Sequence, residues 1–226
     1  ILNGIDTKKY TPTFNENVLT ERGISGRYAI FVGRITRQKG LAHLLRAWKI
    51  ANPDIGLVLA AGSPDEPGIG QEIATLIKEL QNNRDDIWWF EKMLPQQELI
   101  TLLTHADFFI CPSIYEPLGI VNLEAMACET AVLASDVGGI PEVVIDNQTG
   151  ELVHYPNDSE LASNLRDSQF EASLASKIRH FSQHPELLEK YGKAGRERAI
   201  AEFSWQTIAS QTINLYSDLI NQSRKK

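Results

Sequence analysis

The chain has 226 residues, 42% hydrophobic and 23% charged, enough to bury the core of one large globular domain or of one domain with an appendage. A net charge of −7 with no basic stripe argues against a nucleic-acid surface, and no apolar stretch approaches the roughly 18 residues of a membrane helix. The one cationic run, Arg224-Lys225-Lys226, reads as a solvated tail.

The chain starts at Ile1 with neither an initiator Met nor a charged leader, which suggests a domain cut from something longer with no export signal. Short apolar runs then alternate with helical patterns. Tyr28–Val32, Gly56–Ala61, Ile87–Phe90, Phe108–Cys111, Ala131–Ser135 and Glu151–Val153 read as strands. The early ones are continuously apolar, as strands covered on both faces are. A helix is expected from Leu41. Ile73, Leu76, Ile77 and Leu80 follow helical spacing, as do Leu99, Leu102, Leu103 and Ala106, with Pro95 as the first residue of that second helix. This alternation predicts an α/β fold, a doubly wound parallel sheet of six strands. Cys111 at a strand end and Cys128 in a buried helix read as reduced core thiols of a cytoplasmic protein.

After Pro156 the strands stop. Asp158–Leu165, Phe170–Phe181, Pro185–Ala201 and Trp205–Asn221 are helical in pattern, and Ser204 is the expected N-cap of the last. Trp205, Ile208, Ile213, Tyr216 and Ile220 give that helix an apolar set broad enough to need a docking surface.

Ligands of a doubly wound sheet bind beyond the carboxyl ends of its strands. After the first strand comes Gly33-Arg34, then Lys39-Gly40. Gly33 permits close backbone approach, and Arg34 and Lys39, on one loop, suit a diphosphate. A charge pair near 4 Å at an effective dielectric of about 20 is worth roughly 4 kcal/mol. A solvated basic loop is the plain alternative. The loop is neither a Walker A motif nor a dinucleotide fingerprint, which disfavours a dehydrogenase.

The most informative stretch runs from Ser113 to Gly139. Glu116 and Glu124 flank a Pro117-Leu118-Gly119 turn that opens a nearly apolar helix. A buried carboxylate there needs a partner or a ligand. The amides of Gly119 and Ile120 face out of the helix start, a ready anion site. Glu124, one turn further in, can accept both hydroxyls of a ribose, and Glu116 faces a neighbouring sugar. An exposed helix glutamate and an ordinary loop residue are the alternatives. No metal-ligand spacing occurs and the histidines are scattered, so no metal or other cofactor is expected and Arg34 and Lys39 must neutralise the anion.

Gly33-Arg34-x4-Lys39-Gly40, Glu116-x7-Glu124 and Asp136-Val-Gly-Gly-Ile-Pro-Glu142 together resemble the C-terminal domain of retaining glycosyltransferases with the GT-B fold. The likeness is nearest to bacterial glycogen synthases of the actinobacterial type, which use nucleotide-diphosphate glucose. Asn3-Gly4-Ile5-Asp6 resembles the segment where that family enters its second domain, and Phe203-Ser204-Trp205 with a final helix resembles its end. The resemblance implies that Arg34 and Lys39 hold the donor diphosphate and stabilise the departing nucleotide. It implies that Glu116 contacts the transferred glucose and Glu124 the ribose. The amides of Leu118, Gly119 and Ile120 would bind phosphate and sugar, and the base would lie near Met93 and Leu94. Leu118 stands where many relatives carry an aromatic residue or Cys, a change the backbone contacts tolerate.

The implied reaction passes glucose from ADP- or UDP-glucose to an α-glucan or to glucose 1-phosphate with retention of configuration, the leaving phosphate assisting attack from the same face. The implied organisation is a Rossmann-like nucleotide-sugar-binding domain over residues 1–202 and a helix over 203–226 that packs on an N-terminal domain. That domain, which supplies the acceptor site, has no counterpart in the chain, so weak donor binding and little turnover are expected. Two other readings stay open. One is another GT-B hexosyltransferase of mannosyl or sucrose type. The other is a non-catalytic nucleotide-sugar module or a subunit of a split enzyme.

Overall fold

A computed structural model describes residues 1–156 and 161–223. The basic tail over 224–226 and the first residues of the helix expected from Asp158 lie outside the described residues. Strands β1 (Tyr28–Ile35), β2 (Gly56–Pro64), β3 (Ile87–Phe90), β4 (Phe108–Cys111), β5 (Ala131–Ser135) and β6 (Gly150–Val153) form a parallel sheet of six in the order β3-β2-β1-β4-β5-β6. The helices in chain order are α1 (Glu16–Glu21), α2 (Leu41–Ala51), α3 (Pro67–Gln81), α4 (Gln96–His105), α5 (Ile120–Ala127), α6 (Ile140–Val143), α7 (Ser163–Gln183), α8 (Pro185–Phe203) and α9 (Trp205–Ser223). A 3-10 turn over Arg37–Lys39 links β1 to α2.

The sheet is covered on both faces, and β1 explains why its sequence is apolar without alternation. Ala29 and Phe31 pack into one layer, Tyr28 and Ile30 into the other, because successive side chains leave a strand on opposite sides. Leu44 and Trp48 of α2, Ile73 and Ile77 of α3, and Phe170, Leu174 and Ile178 of α7 fill the first layer. Leu102 and Leu103 of α4, Leu123 and Met126 of α5, and Ile5 and Tyr10 of the leading segment fill the second. Helix α8 joins both, Leu188 and Tyr191 in one and Ala199 and Phe203 in the other.

Three local expectations need correction. The first strand runs on past Val32 to Ile35, because β2 is long enough to pair Gly33 with Ala61 and Arg34 with Gly62. The apolar run stops at Val32, but the ladder does not. Second, residues 163–165 of the helix expected over 158–165 and the whole of the helix expected over 170–181 belong to one helix, α7, while 161 and 162 are not helical. The intervening Arg166-Asp167-Ser168-Gln169 is polar but holds no Gly or Pro to break the helix. Third, Pro95 precedes α4 as its N-cap, in extended conformation, with its carbonyl accepting from Leu99 N at 3.0 Å.

Ser204 Oγ accepts from Thr207 N at 3.3 Å and so caps α9. Beyond Ile208 that helix is not buried, and Ile213, Leu215, Tyr216, Leu219 and Ile220 are exposed. Ile5 N donates to Phe203 O at 2.7 Å, which ties the leading segment to the α8–α9 junction. Among the described residues no helix is long and apolar enough to cross a membrane.

Candidate functional site

Strand order reverses between β1 and β4, and at that switch point the segments leaving β1, β4 and β5 stack backbone on backbone. Ile114 N donates to Gln38 O at 2.9 Å, and Gly139 N to Glu116 O at 3.0 Å. Both interfaces require glycine. Gly40 and Gly138 have φ of +65° and +56°, and a Cβ on either would lie 1.9 Å from a carbonyl oxygen, that of Pro112 or of Glu116.

This stack brings Lys39 against Glu116. The ammonium nitrogen is 2.5 Å from Glu116 Oε2, and Ser113 Oγ donates to the same oxygen at 3.2 Å. Glu116 is buried and Lys39 half-buried, so water screens the pair little. Gly119 lies over the same carboxylate, where a Cβ would be 3.4 Å from Glu116 Cγ. Leu118 packs into the second apolar layer, and Ile120 stands exposed as the first residue of α5.

Next to this pair a cavity of about 360 Å³ opens at the ends of β1, β2 and β3. Gly33 and Arg34 of β1, Met93 and Leu94 of the β3–α4 connection, and Glu124 of α5 line it, with Tyr10 and Gln96. Lys39 borders the same wall, since a Cβ on Gly33 would lie 3.8 Å from Lys39 Cγ. Arg34 therefore projects from a strand, not from a loop shared with Lys39, and it has no ion pair among the described residues. Ile120 and Glu124 lie a turn apart on one face of α5, which connects the cavity to the Lys39–Glu116 pair.

Glu124 is largely withdrawn from water, and burial holds its carboxyl above the usual glutamate value despite a hydrogen bond from the Tyr10 hydroxyl at 2.7 Å. The Tyr10 phenol is pushed up to about 12, first by burial and then by the carboxylate beside it, so it stays a donor. Tyr10 and Gln96 carry no motif and escape a reading of strand ends. The signal for Tyr10 is the turn at Asp6. The Asp6 carboxylate accepts from Lys8 N and Lys9 N at 3.1 Å each, and its carbonyl from Tyr10 N at 2.9 Å. That turn swings the ring under α5.

A second cavity of about 360 Å³ has Arg37, His43, Arg46 and Glu72 in its walls. Its charges are already matched. Arg46 pairs with Glu72 and Glu171, Arg37 lies 3.7 Å from Glu72, and His43 Nδ1 lies 2.8 Å from Glu171. Among the described residues no group of three or more His, Cys, Asp and Glu side chains is placed to hold a metal ion. Cys111 and Cys128 are buried and unbridged, and burial pushes both thiols up, Cys128 to about 12.

The family described as glycosyl transferases group 1 matches residues 24–198, which span the whole sheet and the stacked exits. The chain belongs to that family. It is 50% identical to α-maltose-1-phosphate synthase of Mycolicibacterium smegmatis over 96% of its own length and 55% of that enzyme. It is 31% identical to the glycogen synthase of Mycobacterium tuberculosis over 83% of its length and 41% of that enzyme. The chain thus spans about half the length of the curated relatives it matches. Among solved structures, sucrose-phosphate synthase of Thermosynechococcus elongatus superposes with a TM-score of 0.77 at 30% identity, over 98% of this chain and 52% of that one. The expected α/β sheet and the likeness to GT-B C-terminal domains both hold. The actinobacterial likeness holds too, and within it the maltose-1-phosphate synthase match is stronger than the glycogen synthase match.

Proposed function

We propose that this group 1 transferase domain binds a nucleoside-diphosphate glucose and supports transfer of its glucose, with retention, to a sugar 1-phosphate or an α-glucan. One observation carries the reading. Glu124 presents a largely buried carboxylate, held from one side, to an open cavity that also contains Arg34, an arginine with no ion pair among the described residues. A site with an acceptor for a diol at one end and a cation at the other fits a ribose joined to a diphosphate. The neighbouring Lys39–Glu116 pair puts a second cation and a second carboxylate where phosphate meets sugar.

In this account Met93 and Leu94 flank the base, Glu124 takes the ribose hydroxyls, and Arg34 and Lys39 draw negative charge onto the departing diphosphate. The amides of Leu118, Gly119 and Ile120 support phosphate and sugar, and Glu116 hydrogen-bonds the glucose. The bond from the anomeric carbon to the phosphate oxygen breaks. The acceptor hydroxyl attacks from the same face, and its proton passes to that phosphate oxygen. Names of relatives favour glucose 1-phosphate as acceptor, since a maltose 1-phosphate would be the product. We assign the acceptor contacts to residues outside this chain, and residues 203–226 to a helix that packs there, which suits the exposed apolar side chains of α9.

Calorimetric titration with ADP, UDP and their glucose conjugates tests the reading. Saturable binding with a base preference supports it and names the donor. Titrations flat for all four contradict it.

A further inference from the structure

The Glu124 carboxylate has one hydrogen-bond partner among the described residues, the Tyr10 hydroxyl at 2.7 Å on Oε1. That hydroxyl accepts from Gln96 Nε2, also at 2.7 Å. The direction of this chain is forced. A carboxylate offers only acceptors, so the phenol must donate to Glu124 and use a lone pair for the amide of Gln96. Both bonds span the fold, since Tyr10 lies 114 residues from Glu124 and 86 from Gln96 along the sequence.

Tyr10 is itself held on two sides. The residue is 8% exposed, packed in the second apolar layer, and its backbone N bonds into the turn at Asp6. A hydroxyl on a rigid ring fixes the rotamer of a glutamate better than a flexible partner can. It also occupies only one carboxylate oxygen. The other remains open to the cavity that all three side chains line.

We propose that Tyr10 is a positioning residue, which acts through Glu124 by aiming its free carboxylate oxygen at the vicinal diol of the nucleotide ribose. The proposal rests on the assignment of Glu124 to the ribose. Its physical content is pre-organisation: an unpinned glutamate must give up rotamer freedom when ligand binds, and a pinned one has already done so. Gln96 completes the device by preventing the phenol from rotating toward another acceptor. The leading segment, far from the strand ends in sequence, thereby becomes part of the donor site.

The test uses this chain with Tyr10→Phe, which keeps the buried ring and removes the hydroxyl. The probes are the nucleoside diphosphate that binds best and its 2′,3′-dideoxy analogue. Tyr10→Phe should weaken the ribonucleotide about three- to tenfold, the cost of one unfixed side chain, and leave the dideoxy analogue unchanged. In a Glu124→Ala background the same substitution should change neither. Equal weakening of both probes, or of neither, overturns the proposal while leaving the ribose assignment intact. Unchanged ribonucleotide binding by Glu124→Ala alone defeats the ribose assignment itself, and the proposal with it. A ligand-free measurement runs beside these. The carboxyl carbon resonance of Glu124, followed through its titration, should move to a higher midpoint in Tyr10→Phe, because the hydroxyl stabilises the charged form. An unmoved midpoint also overturns the proposal.

Discussion

Lys39 Nζ lies 2.5 Å from Glu116 Oε2, and this pair joins the segment leaving β1 to the segment leaving β4 across the point where strand order reverses. The carboxylate is the more buried partner, its side chain 10% exposed against 25% for the lysine. Loss of the lysine therefore leaves a desolvated charge with only Ser113 Oγ to satisfy it, whereas loss of the glutamate charge leaves an ammonium that can reach water. Lys39→Met should cost about 2 kcal/mol of stability, and Glu116→Gln less. The double variant should recover most of the Lys39→Met loss, since no charge is then stranded. Thermal denaturation of the three variants checks this, and additive losses count against it.

Gly40 and Gly138 hold the three exit segments in register. Alanine at either position combines a left-handed backbone with a Cβ 1.9 Å from a main-chain oxygen, a contact no rotamer can relieve. Gly138→Ala should cost roughly 2–4 kcal/mol and displace Glu116, so nucleotide binding should weaken along with stability. Gly68→Ala, at a position with open space for a methyl group, serves as the comparison and should be neutral or slightly stabilising. Similar melting temperatures for the two variants contradict the stacked arrangement.

Glu124 supplies a pH dependence with a definite sign. Burial raises its carboxyl above the unfolded value. The charged form is thus disfavoured in the fold, and the penalty is absent below the unfolded value and grows as pH rises through the folded one. Binding runs the other way, because only the carboxylate accepts two hydroxyls. As pH falls, affinity for a ribonucleotide should drop at a higher pH than an ordinary glutamate would give. In Glu124→Gln this inflection should vanish, leaving only the nucleotide's own titration. An inflection that survives the substitution assigns the effect to another group.

Helix α9 gives a prediction about what the core does not need. Ile208 is its one buried residue, while the apolar side chains beyond it face solvent. Ending the chain after Ala209 should leave the melting temperature within a few degrees and reduce self-association at high concentration. A large loss of stability places this helix in the core and counts against a boundary at residue 203.

Most of the sheet is legible because its strands are buried on both faces. Phe108–Cys111 and Ala131–Ser135 are apolar runs with clear limits, and the structure keeps those limits. Gly33 and Arg34 are not apolar, so the last part of β1 is invisible until β2 is seen to extend beside it. Helix α7 reads as two pieces for the same reason, since its polar turn at 166–169 has no buried side chain to announce it. The motif residues Arg34, Met93, Leu94 and Glu124 fall at one cavity because strand ends are where a doubly wound sheet opens. Tyr10 and Gln96 reach the same cavity from segments that no spacing rule links to it. The pairing of Lys39 with Glu116 is likewise a property of loop stacking, which no single motif states.

A crystal structure of this chain with its preferred nucleoside diphosphate tests the central claim most directly. The account predicts the ribose hydroxyls within hydrogen-bond distance of Glu124, with Tyr10 still on its other oxygen, and the diphosphate between Arg34 and Lys39. Nucleotide bound in the cavity lined by Arg37, His43 and Arg46, with Glu124 uncontacted, contradicts it.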